Sequence, residues 1–197
     1  MDKAQLRLKF RDLRSKLNSK EQLAAAFALA ENLFKLPDFV KVKSIAAYWP
    51  NDHEINPLLF LEKAMHQGLN CYLPLLMGDN SLLLDFASYT CDTHMQENKF
   101  GILEPHVDAS GLASIEKLDL IVVPLVAFDK YGTRLGMGAG YYDSTLNKLL
   151  DIEPNARPMI VGAAHNCQQA QELPNDNWDW SLSYIVTDKA IIKAQGR

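Results

Sequence analysis

Apolar residues along this chain follow two rhythms, one recurring every three to four positions and one running in short unbroken blocks. Leu6, Phe10, Leu13 and Leu17 carry the first rhythm and predict a helix over 3–17. Ser19-Lys20-Glu21-Gln22 reads as a capping box opening a second helix through about Phe34, and Pro37 blocks its continuation. Asn56 as N-cap and Pro57 at the first helical position open a third helix, which Gly68 stops. Among the blocks, 44–49 predicts a strand, and 71–76 with 82–87 predicts a hairpin around Gly78-Asp79-Asn80. The most apolar block, LDLIVVPLV at 118–126, suits a strand covered on both faces. A helix over 141–150 and strands at 159–163 and 184–187 complete the set.

Strands alternating with helices predict the α/β class. The expectation is a single three-layer domain over 1–197, with a mostly parallel central sheet flanked by helices. Hydrophobic residues make up 48% of the 197, enough to fill one core and short for two. The least regular stretch, 88–117, suits a flap.

Charge and cysteine usage narrow the function classes. A net charge of −4 gives no global reason to bind nucleic acid or an anionic membrane, so any phosphate chemistry must rest on locally clustered cations. Cys71, Cys91 and Cys167 are widely spaced and form no C-x-x-C pair; they read as small core residues. The five histidines show no tight metal spacing. The N-terminus lacks an apolar signal segment and no stretch is long enough to span a bilayer, so the expectation is a cytoplasmic protein.

The sharpest chemical feature is Asp129 to Asp143, DKYGTRLGMGAGYYD, between the strongest strand and a helix. In an α/β sheet that is the carboxyl end of a strand, where ligands bind. Gly136, Gly138 and Gly140 let the backbone approach a ligand closely, and their N–H groups suit phosphate oxygens. Arg134 adds a forked cation. The block is neither a P-loop nor G-x-G-x-x-G, and a plain structural turn is the bland alternative. Lys3, Arg7, Arg11 and Arg14 form a basic stripe bordering the apolar face of the first helix, placed to lean over a cleft or simply to be solvated. Trp49 can stack on a heteroaromatic ring and Glu54 can accept from an amino-pyrimidine edge. On their residues alone, a core tryptophan and a helix-entry carboxylate outweigh that reading. Asp129 and Asp143 are placed to hold Mg²⁺ near phosphates, against a turn-initiating role for Asp129 and a dipole role for Asp143. His165 could face the same cleft, with a structural histidine the stronger reading.

With those residues in view, the chain resembles the 5-formyltetrahydrofolate cyclo-ligases, also called methenyltetrahydrofolate synthetases. The likeness rests on DLIVVPLVAFDKYGTRLGMGAGYYD, Lys3-x-x-x-Arg7, YWPNDHE, Tyr72-Leu73-Pro74, FGILEP and VGAAHNCQ, and covers nearly the whole chain. The glycine–arginine block is the specific part. The resemblance implies ATP- and Mg²⁺-dependent conversion of 5-formyltetrahydrofolate to 5,10-methenyltetrahydrofolate, with release of ADP and phosphate. It implies that Lys3, Arg7 and the run Arg134, Leu135, Gly136, Met137, Gly138, Ala139, Gly140, Tyr141 and Tyr142 bind ATP. Trp49, Glu54, Phe100 and Tyr141 would line the folate, and Asp143 and Asp179 would hold the metal. Arg134, Tyr141 and Tyr142 would act in catalysis, with a tyrosine hydroxyl orienting the formyl group. The partners implied are a small reduced folate, polyglutamylated or not, and no macromolecule; the expected state is a monomer. The rival readings are another phosphate-using α/β enzyme, a folate-binding module without turnover, and a dinucleotide oxidoreductase. The last is disfavoured by the glycine spacing.

Overall fold

A computed structural model describes residues 1–78, 81–107, 111–176 and 180–195. Among them, eight strands form one sheet in the order β12-β11-β10-β7-β1-β2-β3-β6. These are β1 (Ser44–Ala46), β2 (Asn70–Leu76), β3 (Leu84–Ser88), β6 (Leu112–Ala113), β7 (Leu120–Pro124), β10 (Met159–Ala164), β11 (Tyr184–Thr187) and β12 (Ile191–Lys193). The five central strands, β11 through β2, are mutually parallel; β12, β3 and β6 join antiparallel at the edges. Two small ribbons stand apart, β4 (Met95–Glu97) with β5 (Leu103–Pro105) and β8 (Ala127–Phe128) with β9 (Arg134–Leu135).

β7 shows why both faces are covered. Successive side chains point to opposite faces. Leu120 and Val122 join the core beneath α2 (Ser19–Phe34) and α3 (Leu58–His66), with Leu29, Leu33, Phe60 and Leu61. Ile121 and Val123 join the opposite core, where Leu146 of α4 (Tyr141–Leu146) and Leu149 pack. The strand is shorter than the apolar run predicts. It stops at Pro124, and the Leu125 carbonyl accepts instead from Arg14 and Gln168 side chains. A third, smaller cluster docks α1 (Lys3–Ser15) on the β8–β9 ribbon through Leu6, Phe10, Val126, Ala127 and Leu135.

Other boundaries move for local reasons. The second helix is capped by Asn18, whose side chain accepts from the Lys20 and Glu21 N–H groups while Glu21 returns a bond to Asn18 N–H. The box therefore starts one residue earlier than Ser19. The third helix begins at Leu58 with Pro57 at the cap, although Asn56 still accepts from Leu58 N–H. The helix after the glycine block ends at Leu146 and tightens into a 3-10 turn over Asn147–Asp151. The β2–β3 hairpin forms as expected, though Asp79 and Asn80 of its turn lie outside the described residues. In the parallel core, β1 is flanked by β7 and β2, so connections leave it in opposite directions. The crevice at the carboxyl ends of β1 and β7 is where a ligand site is expected.

Candidate active site

A cleft of about 930 Å³ opens at that point. One wall is the segment following β1, with Trp49 and Glu54. The opposite wall is the glycine block, running from β9 into α4. Met137, Gly138 and Ala139 are exposed at its crest. Gly138 has φ 105°, and a Cβ there would sit 3.3 Å from the Arg7 guanidinium carbon. Gly140 caps α4 at φ 82°, in the left-handed region. The α1 helix reaches this wall directly: Arg7 donates from Nε to the Gly136 carbonyl at 2.8 Å, and Lys3 also lines the cleft. Backbone amides of the glycine turn and two cations thus share one end of the cavity, a combination suited to phosphate.

The basic stripe of α1 divides. Lys3 and Arg7 line the cleft, and Lys3 is bonded to Asp176 at 2.7 Å. Arg11 and Arg14 instead both grip the Asp52 carboxylate, each at 2.7 Å, and Arg14 is fully buried. Neither is among the residues lining the cleft.

Arg134 is not the exposed cation that a cleft residue suggests. Its side chain is only 4% exposed. It donates to the Trp180 carbonyl at 3.1 Å and to Asp143 at 2.5 Å. Leu135 lines the cleft but is buried, its side chain in the α1 cluster. Tyr142 and Glu54 face each other electrostatically: burial, then the Glu54 charge, pushes the Tyr142 phenol far above its ordinary value, with Arg134 opposing. Burial pushes the Glu54 carboxyl up to about 7, opposed by Arg14 and by the Asn51 backbone N–H. Glu54 therefore sits between a neutral acid and a carboxylate near neutral pH.

The β4–β5 ribbon borders the third side. The β4–β5 ribbon carries Phe100 at its turn, 53% exposed, with its ring edge-on to Tyr141 at 5.9 Å. Behind it, buried Glu104 accepts from the Asn98 side chain at 3.1 Å and faces the cavity. Asn98, Ser144 and Asn147 are polar lining groups that no motif singled out, and Glu104 falls within FGILEP without a role of its own there, because strand-edge and helix-face positions become neighbours only through the fold. Asp176 was equally unmarked.

The structure decides two alternatives that the sequence left open, both in favour of a structural role. Asp129 is fully buried and accepts from the Tyr131, Thr133 and Leu173 N–H groups, so it shapes a turn and is not a cleft carboxylate. His165 is buried and is not among the residues lining the cleft; its backbone N–H donates to the Gln168 side chain at the start of a 3-10 turn. Asp143 does line the cavity, about a third exposed. Asp179 lies outside the described residues. Among the described residues no group of three or more His, Cys, Asp or Glu side chains could enclose a metal ion.

Comparison with known proteins follows the same outline. A family model for the 5-formyltetrahydrofolate cyclo-ligase family matches residues 1–188. The 5-formyltetrahydrofolate cyclo-ligase of Haemophilus influenzae is 36% identical over 92% of this chain and 95% of its own length. That of Escherichia coli K12 is 32% identical over 92% and 97%. The solution structure of Aquifex aeolicus 5,10-methenyltetrahydrofolate synthetase, at 30% identity, covers all of this chain and 95% of its own, with a TM-score of 0.83.

Proposed function

The chain belongs to the 5-formyltetrahydrofolate cyclo-ligase family, and on that premise we propose how its cleft carries out the family reaction. The reaction is the ATP-dependent cyclisation of 5-formyltetrahydrofolate to 5,10-methenyltetrahydrofolate, with release of ADP and phosphate. The observation that carries the residue assignment is the Arg7–Gly136 bond, which brings the first helix against the glycine turn at one end of the cavity.

In this reading Lys3, Arg7 and the turn from Gly136 to Gly140 hold the triphosphate. Arg134 positions that wall through Asp143 and supports the transferring phosphoryl group. Trp49 stacks on the pterin, Glu54 accepts from its amino-pyrimidine edge, and Phe100 closes over it beside Tyr141. A formamide oxygen is a poor leaving group. Transfer of the γ-phosphoryl group to it makes a good one, after which N-10 attacks the activated carbon, the ring closes and phosphate departs. Such a transfer needs alignment and charge neutralisation more than a protein nucleophile. Tyr141 or Tyr142 orients the formyl group. Tyr142 is held protonated by its surroundings, so it is available as a donor.

Mg²⁺ fits these residues in a limited way. One Asp143 oxygen is taken by Arg134, while the carboxylate remains about a third exposed towards the cavity. A small dication held mainly by phosphate oxygens and water, with one carboxylate, matches that supply. It would neutralise phosphate charge when bound. The three cysteines are free, which suits a reducing compartment, and we place the enzyme in the cytoplasm as a monomer. Incubation with ATP, Mg²⁺ and 5-formyltetrahydrofolate should produce the near-ultraviolet absorbance of the methenyl product. Folate binding without that product would leave only a binding module.

A further inference from the structure

Asp52 and His53 are consecutive residues with positive φ, 49° and 59°, and neither is glycine. Side-chain-bearing residues rarely adopt that conformation, and a pair of them persists only where the surroundings impose it. Here the surroundings are explicit. Asp52 Oδ2 accepts from Arg11 Nε and from Arg14 Nη2, both at 2.7 Å. Arg14 has no exposed surface, and its Nη1 donates to the Leu125 carbonyl at the end of β7. The buried His165 imidazole backs the loop and interacts with the His53 backbone. The next residue is Glu54, whose N–H donates to the Asn51 carbonyl at 3.0 Å and whose carboxylate accepts from Asn51 N–H at 3.1 Å.

We propose that Arg14, acting through Asp52, is a positioning residue for the reduced-folate end of the cleft: it locks the left-handed pair and holds the Glu54 carboxylate where it can receive the pterin edge. The inference rests on the reading above only in taking the pterin as the ligand of Glu54. A fully buried arginine serves this end better than a surface one, because its guanidinium joins three elements at once: α1, the end of β7 and the loop after β1. Its charge also reaches Glu54. The groups facing that carboxyl are Arg14 from α1, Asp52 on its own loop, Tyr48 after β1 and Tyr142 from α4. Tyr48 is committed to the Ile55 carbonyl at 2.6 Å. Arg14 is the only cation among the four, and it favours the ionised form.

The test is equilibrium binding of 5-formyltetrahydrofolate without ATP, followed by tryptophan fluorescence across pH, in wild type, Arg14→Met and Asp52→Asn. In wild type, binding strengthens as pH rises through about 7, where Glu54 ionises. Arg14→Met should move that limb up by about one pH unit and weaken neutral-pH binding about tenfold. Asp52→Asn should move the limb down, since an anionic neighbour is lost, while lowering the high-pH plateau because the loop is no longer clamped. Affinity for a non-hydrolysable ATP analogue should stay within about twofold in both, as the phosphate end is untouched. If Arg14→Met does not fold, Asp52→Asn decides alone. A limb that stays in place, or ATP-analogue affinity that falls as far as folate affinity, overturns the proposal. Wild-type protein that binds no folate overturns the assignment of the cleft as well.

Discussion

Replacing Arg134 by alanine removes a buried cation from between the Asp143 carboxylate and the Trp180 carbonyl. Asp143 is partly solvated, which discounts the loss, so the stability cost should be roughly 1–3 kcal/mol in denaturant melts. Kinetically the same change should remove on the order of 2–3 kcal/mol of transition-state stabilisation, read as kcat/KM for ATP. Unchanged kinetics would remove Arg134 from the nucleotide end. Nothing in the sequence separated the two effects, because burial of a cation is set by tertiary contact: the same spacing rules that put Arg134 before a glycine turn leave its exposure open. Glu54 makes a second prediction at this scale. Its folded pKa, about 7, lies above its ordinary 4.5, so the fold favours its protonated form. That contribution is fully present below about pH 4.5 and is lost as pH rises through about 7. Ligand-free Glu54→Gln should therefore match wild type in Tm at about pH 4 and exceed it at about pH 8. A Tm difference independent of pH would show that Glu54 is not desolvated.

Among the elements, the glycine turn and the β4–β5 ribbon make opposite predictions. Gly138→Ala meets both a positive φ and a guanidinium 3.3 Å away. It should cost about 1 kcal/mol or more and raise the KM for ATP, with little effect on folate binding. Phe100→Ala removes an exposed ring. It should leave Tm within a degree or two and raise the KM for the folate several-fold, as expected for a cover with little structural duty. A fall in Tm comparable to that of a core substitution would make Phe100 structural. The long elements were legible because their periodicity is local. The apolar stripe of α1, the alternation hidden in LIVVP and the hairpin strands all follow from residues within one window. The β4–β5 and β8–β9 ribbons were not legible. They are two to three residues long and are held by partners that periodicity does not register.

For the molecule as a whole, the class was readable from alternation alone, and the sheet is the mostly parallel one expected. The position of the cleft followed from topology, since the chain reverses direction about β1. What stayed hidden was the division of the basic stripe, because Asp52 lies 38 residues from Arg14 and no local rule pairs them. Both sides of the central sheet and the α1 cluster share β7 and its continuation, which argues that the chain unfolds as one unit. We expect a single transition by circular dichroism and by tryptophan fluorescence, with coincident midpoints. Separate midpoints would divide the chain into independent parts. No helix among the described residues is long and apolar enough to cross a membrane.

The docking of α1 also sets an order of events during synthesis. The helix is made before the wall it docks on: Arg7 meets Gly136, 129 residues further along, and Arg14 meets Leu125, 111 residues further along. Its apolar face has no partner until the β8–β9 ribbon exists to receive it. Contacts of such separation are slow to form. A nascent chain halted before the glycine turn therefore carries the helix but lacks the wall it closes.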